Sequence, residues 1–235
     1  MKKAIFIFVL LTVFSGCRDV IFDNPFDPNV SRVEVKIIKI IDTTLSGNGG
    51  LCFDGEKIWL AFENGIIYAL DIDSGVILRE IHVGGTPTGI TFFKGLLYIS
   101  LGQEGTILLV DPLSGDILNE IPLGDRLPYL LTNDGVLLIL YDAKSQSIYS
   151  FDEQTGNLGF MFKITGFQPS GLEIWNGNLV LVERKNLSIY VFSTAGDILK
   201  NYSSPTNYPG GITRDNQNNF YLFSTDGKIY KISLF

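Results

Sequence analysis

The sequence predicts an all-β fold built from a repeated unit, and three observations predict it. Pro87, Pro128, Pro169 and Pro209 follow one another at steps of 41, 41 and 40 residues. Gly75, Gly115, Gly156 and Gly196 run in step at 40, 41 and 40, closing the tracts Asp-Ser-Gly, Leu-Ser-Gly, Gln-Thr-Gly and Thr-Ala-Gly. Between these markers lie short runs rich in β-branched and aromatic side chains, bounded by Gly, Asp or Asn, the pattern of strands joined by tight turns. Helical periodicity is absent from the repeat region. A period of about 40 residues with four short strands per unit is that of a β-propeller blade.

The elements follow in order. From Gly50 the chain runs Gly-Leu-Cys-Phe, Lys57-Ile-Trp-Leu-Ala-Phe, Ile66-Ile-Tyr-Ala-Leu-Asp and Val76-Ile-Leu-Arg-Glu-Ile-His-Val, which is one blade. The next unit repeats it as Gly89-Ile-Thr-Phe-Phe, Leu97-Tyr-Ile-Ser, Ile107-Leu-Leu-Val-Asp and Ile117-Leu-Asn-Glu-Ile. The third strand echoes most clearly, through Ile67-Tyr68, Ile148-Tyr149, Ile189-Tyr190 and Ile229-Tyr230. Four blades are complete, and the fifth begins at Pro209 and stops at Phe235 after three strands. Val33 to Ile41 has the pattern of a fourth strand and precedes the first blade, so the two ends are expected to complete the last blade together and remove an open sheet edge. Residues 33–235 thus predict a five-bladed β-propeller with four-stranded blades.

The first 32 residues are of another kind. Lys2 and Lys3 precede an apolar stretch from Ala4 to Phe14, and Ser15, Gly16 and Cys17 follow. That stretch is too short to span about 30 Å of hydrocarbon, which needs about 20 residues, so residues 1–16 read as an export signal. Small residues directly before Cys17 resemble the lipobox of bacterial lipoproteins, which implies an acylated Cys17 as the new N-terminus and a membrane partner through its lipid. Residues 17–32 carry Asn24-Pro-Phe-Asp-Pro28 without periodicity and read as a tether. Arg rather than Asp at position 18 favours, by resemblance to the enterobacterial sorting signal, the outer over the inner membrane of a Gram-negative envelope. Cys52 is expected to be a small buried hydrophobe.

Charge and chemistry exclude several classes. Removal of Lys2 and Lys3 leaves 16 basic against 25 acidic residues, a net charge of −9 with no basic stripe, so nucleic acid is not an expected partner. The one histidine, His82, falls on an outer strand, and neither a zinc or copper ligand set nor a Walker-type phosphate loop is present. No metal or other cofactor is expected, and a monomer is. Asp71, Asp111 and Asp152 each stand four residues before a turn glycine, where a carboxylate fixes the turn. Glu63, Glu104, Asp142, Glu183 and Asp226 fall between the second and third strands, on the side where blades are linked, at one mouth of the central channel. That surface also carries Arg126, Tyr129, Tyr141, Lys144, Gln168, Arg184 and Tyr208, and its mixture of charge and tyrosine marks Arg126, Tyr129, Tyr141, Asp142, Lys144, Gln168, Glu183, Arg184 and Tyr208 as ligand-binding candidates.

Gly65-Ile-Ile-Tyr-Ala-Leu-Asp-Ile-Asp-Ser-Gly-Val-Ile-Leu and Gly105-Thr-Ile-Leu-Leu-Val-Asp-Pro-Leu-Ser-Gly-Asp-Ile-Leu resemble the repeats of bacterial YncE-like, NHL-like and PQQ-like propellers. The resemblance implies the fold and little about function. The chain lacks the recurrent outer-strand tryptophan of quinone-dependent dehydrogenases and the Gly-His and Trp-Asp pairs of WD40 repeats. Two functions stay open. One is a lipid-anchored, non-catalytic module that binds a protein, peptide or glycan. The other is an enzyme, since glutaminyl cyclases and several glycosidases resemble this chain in using five-bladed propellers, and Asp142 and Glu183 would then be the carboxylates.

Overall fold

The computed structural model describes residues 32–234, so the export signal, Cys17 and the tether before Arg32 lie outside the described residues. After β1 (Lys36–Asp42), blade one comprises β2 (Gly49–Phe53), β3 (Lys57–Phe62), β4 (Ile66–Asp71) and β5 (Ile77–His82). Blade two is β6 (Pro87–Phe93), β7 (Leu96–Leu101), β8 (Thr106–Val110) and β9 (Ile117–Pro122). Blade three is β10 (Pro128–Asn133), β11 (Leu138–Asp142), β12 (Ser147–Phe151) and β13 (Leu158–Lys163). Blade four is β14 (Pro169–Trp175), β15 (Asn178–Glu183), β16 (Ser188–Phe192) and β17 (Ile198–Ser203). Blade five joins β18 (Pro209–Arg214), β19 (Phe220–Ser224) and β20 (Lys228–Ser233) to β1. Every ladder is antiparallel, and the first strands meet in a closed ring, β2 to β6 to β10 to β14 to β18 and back to β2. The fold is a five-bladed β-propeller.

Closure occurs as the sequence predicts, with a refinement. β1 pairs antiparallel with β20, Lys36 facing Ser233 and Asp42 facing Lys228. The strand begins at Lys36 rather than Val33, because Val33 has a different partner. It bridges in parallel to Tyr202 of β17, its N–H donating to the Asn201 carbonyl (3.2 Å) and its carbonyl accepting from the Ser203 N–H (3.0 Å). Val35, between the two attachments, packs into the core between blades four and five.

Both repeat rulers mark backbone constraints. Each proline opens an innermost strand, where its missing N–H removes nothing from the ladder. The turn glycines Gly75, Gly115, Gly156 and Gly196 have φ between 72° and 91°, open to a residue without a Cβ. Asp71 Oδ1 accepts from the Ser74 N–H (2.7 Å) and hydroxyl (2.7 Å), Asp111 Oδ1 from the Leu113 N–H (2.7 Å), and Asp152 Oδ1 from the Gln154 N–H (2.9 Å). In blade four the hydroxyl of Ser193 replaces the acid, accepting from the N–H groups of Ala195 (3.2 Å) and Asp197 (3.1 Å).

The core is divided among the five contacts between neighbouring blades. Ile67, Ile148, Ile189 and Ile229 face one neighbour while Tyr68, Tyr149, Tyr190 and Tyr230 face the other, as the two-residue period of a strand requires. At the axis the innermost strands touch backbone to backbone. A Cβ on Gly50 would stand 2.9 Å from the Gly89 Cα, one on Gly89 2.8 Å from the Leu131 nitrogen, one on Gly171 2.8 Å from the Ile212 nitrogen, and one on Gly211 2.6 Å from the Leu51 nitrogen. Gly211→Ala is therefore expected to cost about 1–3 kcal/mol of overpacking strain, read as a lowered midpoint of urea unfolding. An unchanged midpoint would mean that the ring opens at no cost.

Candidate functional site

Antiparallel four-stranded blades give the ring two unlike faces. The links between blades and the connections between second and third strands share one, here the link face; the remaining turns share the other, the turn face. All nine sequence-derived candidates sit on or beneath the link face. Tyr129 and Arg184 come together there with Glu63 around a residual space of only ≈10 Å³. Burial, then the Glu63 carboxylate, raises the Tyr129 hydroxyl above its ordinary value, against the opposing pull of Arg184. Arg184 Nε donates to the Pro209 carbonyl (3.1 Å). These side chains fill the link-face mouth.

Asp142 and Glu183 are buried, at 1% and 0% exposure. Asp142 accepts from the N–H groups of Leu127 (2.9 Å) and Lys144 (3.2 Å) and from the Ser145 hydroxyl (2.7 Å), with Arg126 Nη1 at 3.5 Å. Glu183 accepts from the N–H groups of Gln168 (3.0 Å), Lys185 (2.9 Å) and Asn186 (2.6 Å). Each carboxylate ties the strand entering its blade to the turn beyond its second strand. Arg126 lies over the Tyr149 ring (4.2 Å) and Lys144 pairs with Asp125 (2.8 Å). Tyr141 is buried in the core between blades three and four, and Gln168 and Tyr208 are exposed.

The larger space opens at the other end. Along each innermost strand the close-packed position is followed by an aliphatic one: Leu51, Ile90, Leu131, Leu172 and Ile212. Together with the close-packed residues these line a gap of ≈10 Å³, room for about one water at most, so the channel is plugged midway to anything larger. One residue further the ring is Cys52, Thr91, Thr132, Glu173 and Thr213, and there a cavity of ≈360 Å³ opens to the turn face. Asp54, Asn133 and Arg214 stand at its rim, with Phe53 and Phe92 as apolar walls.

Glu173 is the chemical centre of this ring. Its Oε1 accepts from the Ile174 N–H (2.8 Å) and, at the limit of a hydrogen bond, from the Thr132 hydroxyl (3.4 Å), while Oε2 accepts from the Thr213 hydroxyl (3.1 Å). Burial lifts its carboxyl above the ordinary value of 4.5, and the Ile174 N–H and the Arg214 charge offset only part of that. Asp215, at the end of the neighbouring strand, goes the other way: burial alone would raise it, but the Asn219 amide and backbone N–H groups hold it lower. Arg214 is anchored by donation from Nε to the Ile174 carbonyl (3.0 Å), and Asn133 Nδ2 donates to Thr91 Oγ1 (2.8 Å) and the Phe92 carbonyl (3.0 Å). Such contacts stitch blades two to five around the cavity. Burial, then Asp54 and Glu173, push the Cys52 thiol well above its ordinary value, so it is a neutral wall and not a nucleophile. Among the described residues no cluster of three metal-ligating side chains occurs.

Sequence reasoning passed over Glu173 and its ring. A signal was available, since positions 52, 91, 132, 173 and 213 occupy one register of the repeat and interrupt apolar strands with polar or ionisable residues. Two consequences are measurable. Glu183→Gln replaces one oxygen of a carboxylate that accepts three N–H bonds and should cost about 1–3 kcal/mol in urea unfolding. Glu173→Gln should do the reverse near pH 7. A carboxyl whose folded-state pKa is raised keeps its proton better folded than unfolded, so stability falls as pH rises through 4.5 toward the folded value and stays lower above it. The variant should melt higher than the parent at pH 7, with the difference vanishing below pH 4.5; a variant less stable at pH 7 would contradict the burial of that charge.

No protein-family model and no curated protein sequence matches the chain. Solved structures match its fold. The glutaminyl cyclase of Myxococcus xanthus superposes with a TM-score of 0.74 at 13% identity, covering 86% of this chain and 97% of that one. A streptogramin B lyase aligns with a TM-score of 0.54 at 19% identity over 83% of this chain and 96% of that one. Virginiamycin B lyase from Staphylococcus aureus aligns with a TM-score of 0.51 at 23% identity, over 79% of this chain and 66% of the other. At such identities the likeness is one of fold: the chain is a β-propeller similar in architecture to these proteins.

Proposed function

We propose that this chain is a lipid-anchored envelope protein whose propeller binds a small polar ligand, or the end of a larger one, in the turn-face cavity without transforming it. The observation that carries the reading is the half-plugged channel: a cavity of ≈360 Å³ with a polar ring at its floor, closed behind by aliphatic side chains. Such a shaft admits a ligand from one side and surrounds it with hydroxyl, amide, carboxyl and guanidinium groups at fixed positions, the arrangement that gives orientation and selectivity. The Cys17 lipid would hold the propeller at the membrane, and in a Gram-negative envelope Arg18 favours the outer membrane over the inner.

The raised carboxyl of Glu173 supports a second reading, an acid–base enzyme. Two-carboxylate glycoside chemistry is the weaker form, because Asp54 already accepts from the N–H groups of Glu56 (2.8 Å) and Lys57 (2.7 Å) and from the Trp59 indole (2.7 Å). Cyclisation of a glutamine, which a single carboxyl can serve as proton acceptor and donor, fits better. There the α-amino nitrogen of an N-terminal glutamine would attack its own side-chain carbonyl carbon, passing a proton to the Glu173 carboxylate. The carboxyl would return it to the departing nitrogen as the C–N bond breaks and ammonia leaves.

One pair of measurements addresses both. Cys17→Ser is expected to abolish fatty-acid labelling and release the protein from membranes; persistent labelling would remove the anchor. A screen of the full chain against amino acids, monosaccharides and glutamine-headed peptides should give ligands whose binding Thr132→Val and Glu173→Gln weaken about tenfold, with no product formed. Ammonia release abolished by Glu173→Gln while the peptide still binds would replace the binding reading with the enzymatic one.

A further inference from the structure

The cavity has a neighbour at its rim. Asp54 and Phe92 also line a second depression of ≈450 Å³ that runs outward between blades one and two, over Trp59, Ala69 and Leu78 on one side and Pro112 and Leu113 on the other. The shaft and this groove are therefore neighbours that share Asp54 and Phe92 as a common edge, the shaft polar and the groove apolar. Its walls are set. The Trp59 indole N–H donates to Asp54 Oδ2 (2.7 Å), which fixes the ring, and Arg79 donates to the Leu113 carbonyl, which holds the blade-two turn over the outer strand of blade one. Leu78 and Leu113 nevertheless keep 52% and 83% of their surface in water. Exposed apolar side chains beside a preformed groove are the mark of a surface that another molecule covers.

Shape and charge narrow the occupant. Because the channel is plugged behind the polar ring, a polymer can enter only by an end, not thread through. The cavity is lined by two carboxyl groups, Glu173 at the floor and Asp54 at the rim, against one guanidinium, Arg214, and the chain as a whole is acidic, with a net charge of −7, so a cationic end is favoured over an anionic one. From the innermost to the outermost strand of a blade is three strand spacings, about 14 Å, which about four extended residues cover. We propose that the turn face binds the free amino end of an extended polypeptide, its α-ammonium in the shaft against Glu173 and the apolar side chains of the next residues in the groove between blades one and two. The proposal rests on the reading of the cavity as a ligand site and adds the class of ligand. A chain end has a charge to bury and apolar side chains to place, and the shaft and the groove provide for both in that order.

Affinity selection by the full chain from a tetrapeptide library with free amino termini, run beside the same library N-acetylated, tests it. The expected result is enrichment of free-amine peptides with apolar residues at positions two to four, and at least a tenfold loss of capture on acetylation or in Glu173→Gln. Leu78→Asp combined with Leu113→Asp, both at exposed positions, should erase the apolar preference while single amino acids still bind, which also shows that the variant is folded. Equal capture of acetylated peptides, or a preference that the paired leucine changes do not alter, overturns the proposal. If amino acids or sugars bind in a Glu173-dependent way but lengthening with apolar residues adds nothing, this inference falls and the cavity remains a binding site. If no ligand of any class depends on Thr132 or Glu173, both fall.

Discussion

Everything in this molecule depends on how closely five backbones can approach one axis. Side chains are absent where the innermost strands touch, at Gly50, Gly89, Gly171 and Gly211, and blade three departs from the pattern with Leu130, which packs into the core toward blade four. That proximity brings the next residues, all aliphatic, close enough to fill the centre of the ring. A wider ring would leave a through-channel. This one leaves a plugged shaft, with its usable volume on the side where the innermost strands end.

The fold was legible because the repeat writes its turns in residue types with few substitutes. Proline at an innermost strand start and glycine at positive φ recur at one spacing, and the strands between them can take only the order that the turns allow. Even the shared last blade could be read, since a fourth strand without a blade stood at one end of the chain and a blade without a fourth strand at the other. Val33 differs for a local reason: its sequence neighbourhood, Val33-Glu-Val35, reads as strand continuous with β1, whereas its backbone partners belong to blade four.

The site was less legible, and Asp142, Glu183 and Glu173 show why. In sequence all three are acids in a strand or at its end, and nothing in composition tells a carboxylate that three N–H groups already surround from one that faces open space. Asp142 and Glu183 are the last residues of their second strands, where the entering link lies within reach of their oxygens. Glu173 sits in the middle of an innermost strand, where the strand period turns it to the axis and its companions are hydroxyls. Depth along the axis decides the difference, and depth is written in register within the repeat, not in residue type.

The pairing of β1 with β20 also sets a schedule. These strands meet although Lys36 and Ser233 stand at opposite ends of the described chain. Contacts so far apart in sequence form slowly, since a long loop must be ordered before the contact stabilises anything. On a ribosome moving at about 5–20 residues per second, β1 would wait roughly 10–40 seconds for its partner. Through that interval it is an unpaired strand, and Lys36, Lys39 and Asp42 are the kind of edge charges that discourage pairing with a stranger. A ring whose last blade borrows from its first residues cannot close early, so the chain stays open, and threadable, until the final hairpin has been made.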